Sequence, residues 1–82
     1  MKKINISALT RSEFDKIIEE ANFTEEQRMI FLALNKDNQY DFGIMLEIGI
    51  SGRRYYRLKK IVIQKVERIA RQFGFESAIN KS

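Results

Sequence analysis

The chain has 82 residues, a net charge of +4 and an apolar fraction of 44%, which is enough for one globular domain with a modest core. It contains no cysteine and no histidine, which excludes disulfides, a thiol nucleophile, a zinc finger and the commonest general base. No apolar stretch reaches membrane-spanning length and no signal peptide is recognisable, so we expect a cytoplasmic protein without a membrane partner.

The first nine residues alternate weakly between polar and apolar side chains. Ile4, Ile6 and Leu9 give this stretch the pattern of a short strand or of an arm that lies over the core. A frayed terminus is nevertheless the outcome we expect. If the arm is free, Lys2 and Lys3 are placed to touch phosphate groups.

A capping box marks the start of the first helix. Thr10 is followed three residues later by Glu13, and this spacing predicts a helix over about 11–21. The apolar residues that recur at helical spacing are Phe14, Ile17, Ile18 and Ala21. The opposite face is acidic and is interpreted as a solvent-exposed surface, with a partner-binding surface as the alternative. Its residues are Glu13, Asp15, Glu19 and Glu20.

The second helix begins with the same pattern. Thr24 and Gln27 predict a helix over about 25–35. Because residues 29–34 are all apolar, we expect this helix to be buried on most of its circumference. The polar residues 35–39 then form a loop.

A short apolar helix, a glycine and a long basic helix form the centre of the chain. Helix three is predicted over about 40–48 and ends at Gly49, because glycine takes the positive φ that ends a helix with little strain. Ser51 is predicted to cap helix four, which runs from near Gly52 to just before Gly74. This order of helix, turn and helix is the layout of a helix-turn-helix.

Helix four carries one long apolar stripe. Its members, at steps of three and four, are Tyr55, Leu58, Val62, Val66, Ile69 and Phe73. A helix of about 20 residues is roughly 30 Å long, so only its first turns fit against DNA and the rest packs on helices one and two or on another subunit. Ile61 is assigned to the core, and Ile63 is left open between the core and a dimer contact.

These elements predict an all-α fold. It is a small four-helix domain over residues 10–75, with a helix-turn-helix and a long C-terminal recognition helix. Residues 1–9 form an N-terminal arm and residues 76–82 a C-terminal tail.

Charge divides the chain at the turn. Residues 10–50 carry four basic and nine acidic side chains, a net of −5, whereas residues 51–72 carry eight basic and one acidic, a net of +7. Basic charge concentrated on one helix is typical of a nucleic-acid contact surface. The alternative is an ordinary solvated face covered by long basic side chains.

Eight residues of the turn and of the start of helix four are predicted to bind DNA. They are Ser51, Gly52, Arg53, Arg54, Tyr56, Arg57, Lys59 and Lys60. Arg53 and Arg57 lie one turn apart, and either suits the edge of a guanine in the major groove. Tyr56 suits a base edge, a thymine methyl group or a phosphate.

The remaining basic residues are assigned to the DNA backbone. Arg54, Lys59 and Lys60 are placed for phosphates, which orient a protein on DNA without specifying sequence. Gly52 lets the backbone of the helix come close to the DNA.

No catalytic constellation is apparent. The eleven carboxylates fall mostly on predicted solvent faces, metal-ligand spacing is missing, and the glycines serve helix boundaries or packing rather than a phosphate loop. We therefore predict neither an enzyme nor a bound cofactor or metal.

The segment 23–70 resembles the region-four helix-turn-helix of bacterial sigma factors and of their phage-encoded relatives. Residues 23–28 (FTEEQR) are similar to the start of that domain, and residues 48–51 (IGIS) to its turn. Residues 51–60 (SGRRYYRLKK) are also similar to a pattern of ArpU-type phage transcriptional regulators. The resemblance implies DNA binding and transcriptional control in a Gram-positive bacterium or its mobile elements. Met45 departs from the pattern, because many helix-turn-helices have a small residue there.

The main hypothesis is therefore a transcriptional regulator whose partner is double-stranded DNA. The alternative is a small phage protein that binds RNA polymerase or another host protein, such as a defence nuclease of the CRISPR type. Two features favour this alternative: an acidic helix is followed by a basic one, and the chain is too short for a further effector domain. Homodimerisation is also open, because paired DNA half-sites usually need paired readers.

Overall fold

The computed structural model describes residues 5–36 and 40–75. The elements within these residues are a single 3-10 turn, Ile6–Ala8, and the helices α1 Arg11–Ala21, α2 Glu25–Asn35, α3 Asp41–Ile48 and α4 Gly52–Phe73. This part of the chain contains no strand, and the predicted all-α fold is confirmed. The predictions for Lys2 and Lys3, for the centre of the 35–39 loop and for the tail 76–82 lie outside the described residues.

Side-chain caps fix where the first two helices begin. Thr10 and Glu13 form both bonds of the capping box, with the Glu13 N–H donating to Thr10 Oγ1 at 3.2 Å and the Thr10 N–H to Glu13 Oε1 at 2.9 Å. Thr24 and Gln27 form the same reciprocal pair at 3.3 and 3.2 Å. These bonds satisfy backbone donors that a helix N-terminus otherwise leaves open, so both predicted starts are confirmed.

Left-handed residues end three of the helices. Gly49 has φ +79° and Gly74 has φ +70°, as predicted for the ends of α3 and α4. Asn22 ends α1 with φ +52°. Asparagine tolerates this conformation better than most residues with a side chain, so it takes the place that glycine has elsewhere.

The core forms between α4 and the three helices before it. The predicted stripe of α4 is buried from Tyr55 to Ile69, whereas Phe73 at its end is 39% exposed. It meets side chains such as Ile17 of α1 and Phe31 of α2, both fully buried. The long helix is therefore covered along most of one side.

The structure shows where two further apolar residues of α4 lie. Ile63, which the sequence left open, packs against the core. Ile61, which we assigned to the core, is only half-buried.

The expected burial of α2 is confirmed over most of its circumference, but it fails along one stripe that includes two apolar residues. Met29 and Leu32 are 41% and 38% exposed, although Ile30 and Phe31 between them are fully buried. The helix packs against α4, α3 and the 3-10 turn and leaves one stripe uncovered, so an unbroken apolar run does not by itself require burial all round.

The expectation of a frayed start is also wrong for residues 5–9. Ile6 is 7% exposed and belongs to the core, and the Asn35 side-chain amide donates to the Ile6 carbonyl at 2.9 Å. The segment is a 3-10 turn rather than a strand, and it closes the end of the core near the C-terminus of α2.

A carboxylate joins the start of α3 to α4. Asp41 Oδ1 accepts hydrogen bonds from the Tyr55 hydroxyl at 2.6 Å and from Lys59 Nζ at 2.9 Å. The hydrogen bond from Tyr55, with support from Lys59, holds the pKa of Asp41 below its usual range. Burial of Tyr55 and its bond to Asp41 raise the pKa of the phenol well above its ordinary value. The buried ring thus has a partner for its polar end.

Asp41→Asn is expected to lower the free energy of unfolding at neutral pH by about 1–2 kcal/mol, because hydrogen bonds to a charged group are lost at a site that is a third exposed. The folded-state pKa of Asp41 is depressed, so its contribution is complete above the unfolded-state pKa of about 3.9 and disappears as the pH falls through the folded-state pKa.

Urea unfolding of both proteins at about pH 7, 5 and 3 measures this difference. The other carboxylates are common to both proteins, so their contributions to the pH dependence cancel in the difference. A difference that is absent at neutral pH, or that persists unchanged in acid, would contradict the role given to Asp41.

Candidate nucleic-acid interface

The turn between α3 and α4 is held by its own backbone and by one side chain. The N–H groups of Gly49 and Ile50 both donate to the Met45 carbonyl, at 2.8 and 3.3 Å. Ser51 Oγ then accepts from the Arg54 N–H at 3.3 Å and caps α4, as predicted. These bonds fix the direction in which α4 leaves the turn.

Four side chains form an exposed basic face on the first turns of α4. We call Arg53, Tyr56, Arg57 and Lys60 the basic face; all four are exposed, and Tyr56 is 52% exposed. It lies on the side of the helix away from the buried Leu58. Among the described residues none of its three cations forms an ion pair. Their charges are therefore available to an external anion.

Arg54 does not belong to this face. Its guanidinium forms a two-point contact with Glu26 at the start of α2, in which Nε donates to Oε2 at 3.3 Å and Nη2 donates to Oε1. This hydrogen bonding lowers the pKa of the Glu26 carboxyl and raises the pKa of Arg54. The Arg54 side chain, which was predicted to contact phosphate, thus forms an intramolecular ion pair instead.

Lys59 is engaged in the same way on the other side of α4. Its ammonium group lies 2.9 Å from Asp41 of α3, and its side chain is only 26% exposed. At 100° per residue, Arg54 and Lys59 lie about 100° and 120° to either side of Arg53, so they reach the flanking helices. Of the three residues assigned to phosphates, Lys60 alone forms no ion pair in the described structure, and its side chain is exposed.

Helical geometry extends the exposed polar stripe beyond the predicted residues. Gln64, Arg68 and Arg71 are exposed and continue the line of Arg57 and Lys60 along α4. The predicted DNA-binding residues end at Lys60, although the same spacing of three and four residues continues beyond it and could have predicted these positions. From its first to its last arginine the stripe is about 27 Å long.

Gly52 sits against α3 rather than fully in solvent. It is half-buried, and a Cβ built there would lie 3.6 Å from Met45 Sδ, which is an ordinary van der Waals contact. The flexible thioether of Met45 therefore fits beneath the first turn of α4, where a small residue was expected.

The described residues show no grouping of three or more acidic side chains able to hold a metal ion. None of the helices in this part of the chain has the length and apolarity needed to cross a membrane. The start of α4 presents an exposed cationic surface.

Gly52→Ala is expected to leave the free energy of unfolding unchanged or to raise it by up to about 1 kcal/mol, because the new methyl group makes a normal contact and alanine favours the helix. Thermal and urea unfolding measure the change. A marked loss of stability would show that α3 and α4 need the glycine for their approach.

Comparisons of the chain with models of protein families, with curated proteins and with solved structures find no match. The resemblance to sigma-factor region four stays a prediction, and the candidate interface is described by its own geometry and charge.

Proposed function

We propose that the protein is a DNA-binding regulator of transcription that reads the major groove with the basic face of α4. The observation that carries this proposal is the exposure of Arg53, Arg57 and Lys60 on one side of a helix whose other side is core. The major groove is wide enough to admit an α-helix, and a helix packed on its own domain presents only its outer face.

The spacing of the two arginines suits base readout. Arg53 and Arg57 are separated by about 6 Å along the helix axis. Successive bases of one strand are about 3.4 Å apart, so the two guanidinium groups reach positions about two base pairs apart. Each can donate two hydrogen bonds to a guanine. Tyr56 beside them contributes a base edge or phosphate contact, and Lys60 a phosphate contact.

The ion pairs beside the basic face support the same function. Glu26 and Asp41 are the carboxylates bonded to α4, and unpaired they would repel a phosphate backbone. Arg54 and Lys59 neutralise them, so the basic face keeps its uncompensated charge. We assign Arg54 and Lys59 to this shielding first and to phosphate contacts only after displacement from their partners.

The resemblance adds the biological setting. In line with the sigma-factor-like turn and the ArpU-like basic segment, we propose a phage or mobile-element regulator that acts in the bacterial cytoplasm. The fold alone does not determine function, so the proposal rests on the residues of the basic face.

A host-protein partner is the second candidate function. The acidic face of α1 supports it less than the sequence suggested, because its carboxylates already have basic neighbours. Arg11 lies 3.5 Å from Asp15, and Lys16 lies 3.6 Å from both Glu19 and Glu20. Its stronger support is the exposed apolar side chains Phe42 and Leu46.

Affinity purification from a bacterial host lysate distinguishes the two functions. Stoichiometric recovery of RNA polymerase or of a nuclease, by a protein that selects no DNA sequence, would replace the regulator by the host-protein modulator.

Arg57→Ala is expected to relax sequence preference at one base pair, at a cost of about 1–3 kcal/mol in binding free energy. Lys60→Ala should instead weaken binding to all sequences alike and lower the slope of log affinity against log salt concentration by about 1. A site is first selected from random duplexes and then titrated by fluorescence anisotropy at two salt concentrations. Arg11→Ala on α1 is the matched control, because it removes the same charge far from the basic face.

A core variant separates folding from binding in these titrations. Val66→Ala creates a cavity at a fully buried position, so binding should fall only under conditions where thermal melts show unfolding. Failure to select any sequence, or binding that is insensitive to salt, would rule out the proposed function.

Glu26→Gln is expected to tighten DNA binding, because it releases Arg54 for a phosphate contact, and to steepen the salt slope by up to about 0.9. Glu19→Gln changes the net charge equally but leaves Arg54 paired, so it isolates the local effect. Equal affinities for the two variants would show that the ion pair does not limit DNA binding.

A further inference from the structure

The outer side of α3 is apolar and uncovered. Phe42 and Leu46 lie one turn apart, and each is 67% exposed, whereas Ile44 between them is fully buried. An apolar side of a helix is normally covered by another element of the fold. Within the described chain α3 is covered on one side only, so its outer ridge has the character of a contact surface.

A groove beside this ridge continues the apolar surface onto α2. It has a volume of about 240 Å³, and its lining residues are Met29, Leu32, Ala33, Lys36, Glu47 and Ile48. Met29 and Leu32 are the two α2 side chains that proved exposed against expectation. The ridge and the groove together form what we call the α2–α3 surface.

Gly43 has no structural explanation within the described monomer. It lies inside α3, its φ is not positive, and a Cβ added there would have nothing within 4 Å. Glycine at such a position costs stability relative to alanine. A bare patch of helix backbone next to an apolar ridge is suited to the close approach of another helix.

The charges of the α2–α3 surface complement a second copy of the same surface. Lys36 stands on the α2 wall of the groove and Glu47 on the α3 wall, and neither forms an ion pair among the described residues. In a twofold interface, residue i of one copy contacts residue j of the other and the reverse. Two copies related by a twofold axis can therefore form two ion pairs, each between Lys36 of one copy and Glu47 of the other.

We propose that the α2–α3 surface is a twofold interface between two copies of this chain, in which each Lys36 faces the partner's Glu47 and the apolar ridges pack near Gly43. The basic face of α4 is not part of it, so the inference is independent of DNA binding. The surface is small, which places the dimer at the weaker end of specific association.

Charge reversal tests the pairing directly. Lys36→Glu and Glu47→Lys are each expected to weaken the dimer, because each creates two like-charged contacts. An equimolar mixture of the two variants should form a heterodimer, since both contacts are then attractive. Analytical ultracentrifugation from roughly 1 µM to 1 mM, without DNA, measures the dissociation constants. We expect each single variant to lose dimer affinity at least tenfold and the mixture to recover it.

Matched controls and a steric variant complete the test. Arg11→Glu and Glu19→Lys reverse charges on α1 and should leave dimerisation unchanged. Gly43→Gln introduces a good helix former into open space, so the monomer should melt no lower than the wild type while the dimer weakens.

A wild-type protein that stays monomeric throughout, single variants that dimerise like the wild type, or a mixture without recovery would each overturn the interface. A monomer that recovers a host protein through the same residues would assign the surface to that partner instead.

Discussion

The bond between Tyr55 and Asp41 is the constraint on which the arrangement of this molecule depends. The Tyr55 ring is fully buried, and a buried hydroxyl without a partner would be costly. Asp41 Oδ1 accepts the hydrogen bond from the Tyr55 hydroxyl at 2.6 Å and so ties the first turn of α3 to the first turn of α4. Because the other end of α3 is closed by Gly49, both ends of the short helix are fixed.

This constraint also sets which cations remain exposed. With α3 held against one side of α4 and α2 against the other, Lys59 reaches Asp41 and Arg54 reaches Glu26. Between these two pairs, the three cations of the basic face form no ion pair among the described residues, whereas the Tyr56 side chain beside them interacts with Asp41. The acidic scaffold thus does more than carry the helix, because it leaves only a narrow strip of unpaired positive charge on the broadly basic α4. A narrow strip on a rigid helix is suited to a groove, whereas diffuse basic charge is suited only to non-specific contact.

The two proposed contact surfaces lie on different elements. The basic face belongs to α4, and the apolar ridge and groove belong to α2 and α3. A twofold dimer through the second surface would present two basic faces related by the same axis, which is the arrangement that reads paired half-sites. The small size of the apolar surface means that DNA carrying both half-sites would favour the dimer, because each binding event raises the effective concentration for the other.

Local sequence signals were enough to place the helices and their ends. Capping boxes at Thr10 and Thr24, and glycines at 49 and 74, act within a few residues of the bonds they form, so local chemistry was sufficient. The buried stripe of α4 followed from its 3.6-residue period for the same reason. Exposure of Arg53, Arg57 and Lys60 opposite that stripe could be predicted with it.

Contacts between distant parts of the chain set which charged side chains form intramolecular ion pairs and which apolar residues stay exposed. The partners of Arg54 and Lys59 lie 28 and 18 residues away along the chain, and no local pattern encodes such pairs. The exposure of Leu32 and the burial of Ile6 likewise depend on which side of α2 another element covers. Helix formation is governed by neighbours in sequence, whereas the final surface is governed by neighbours in space.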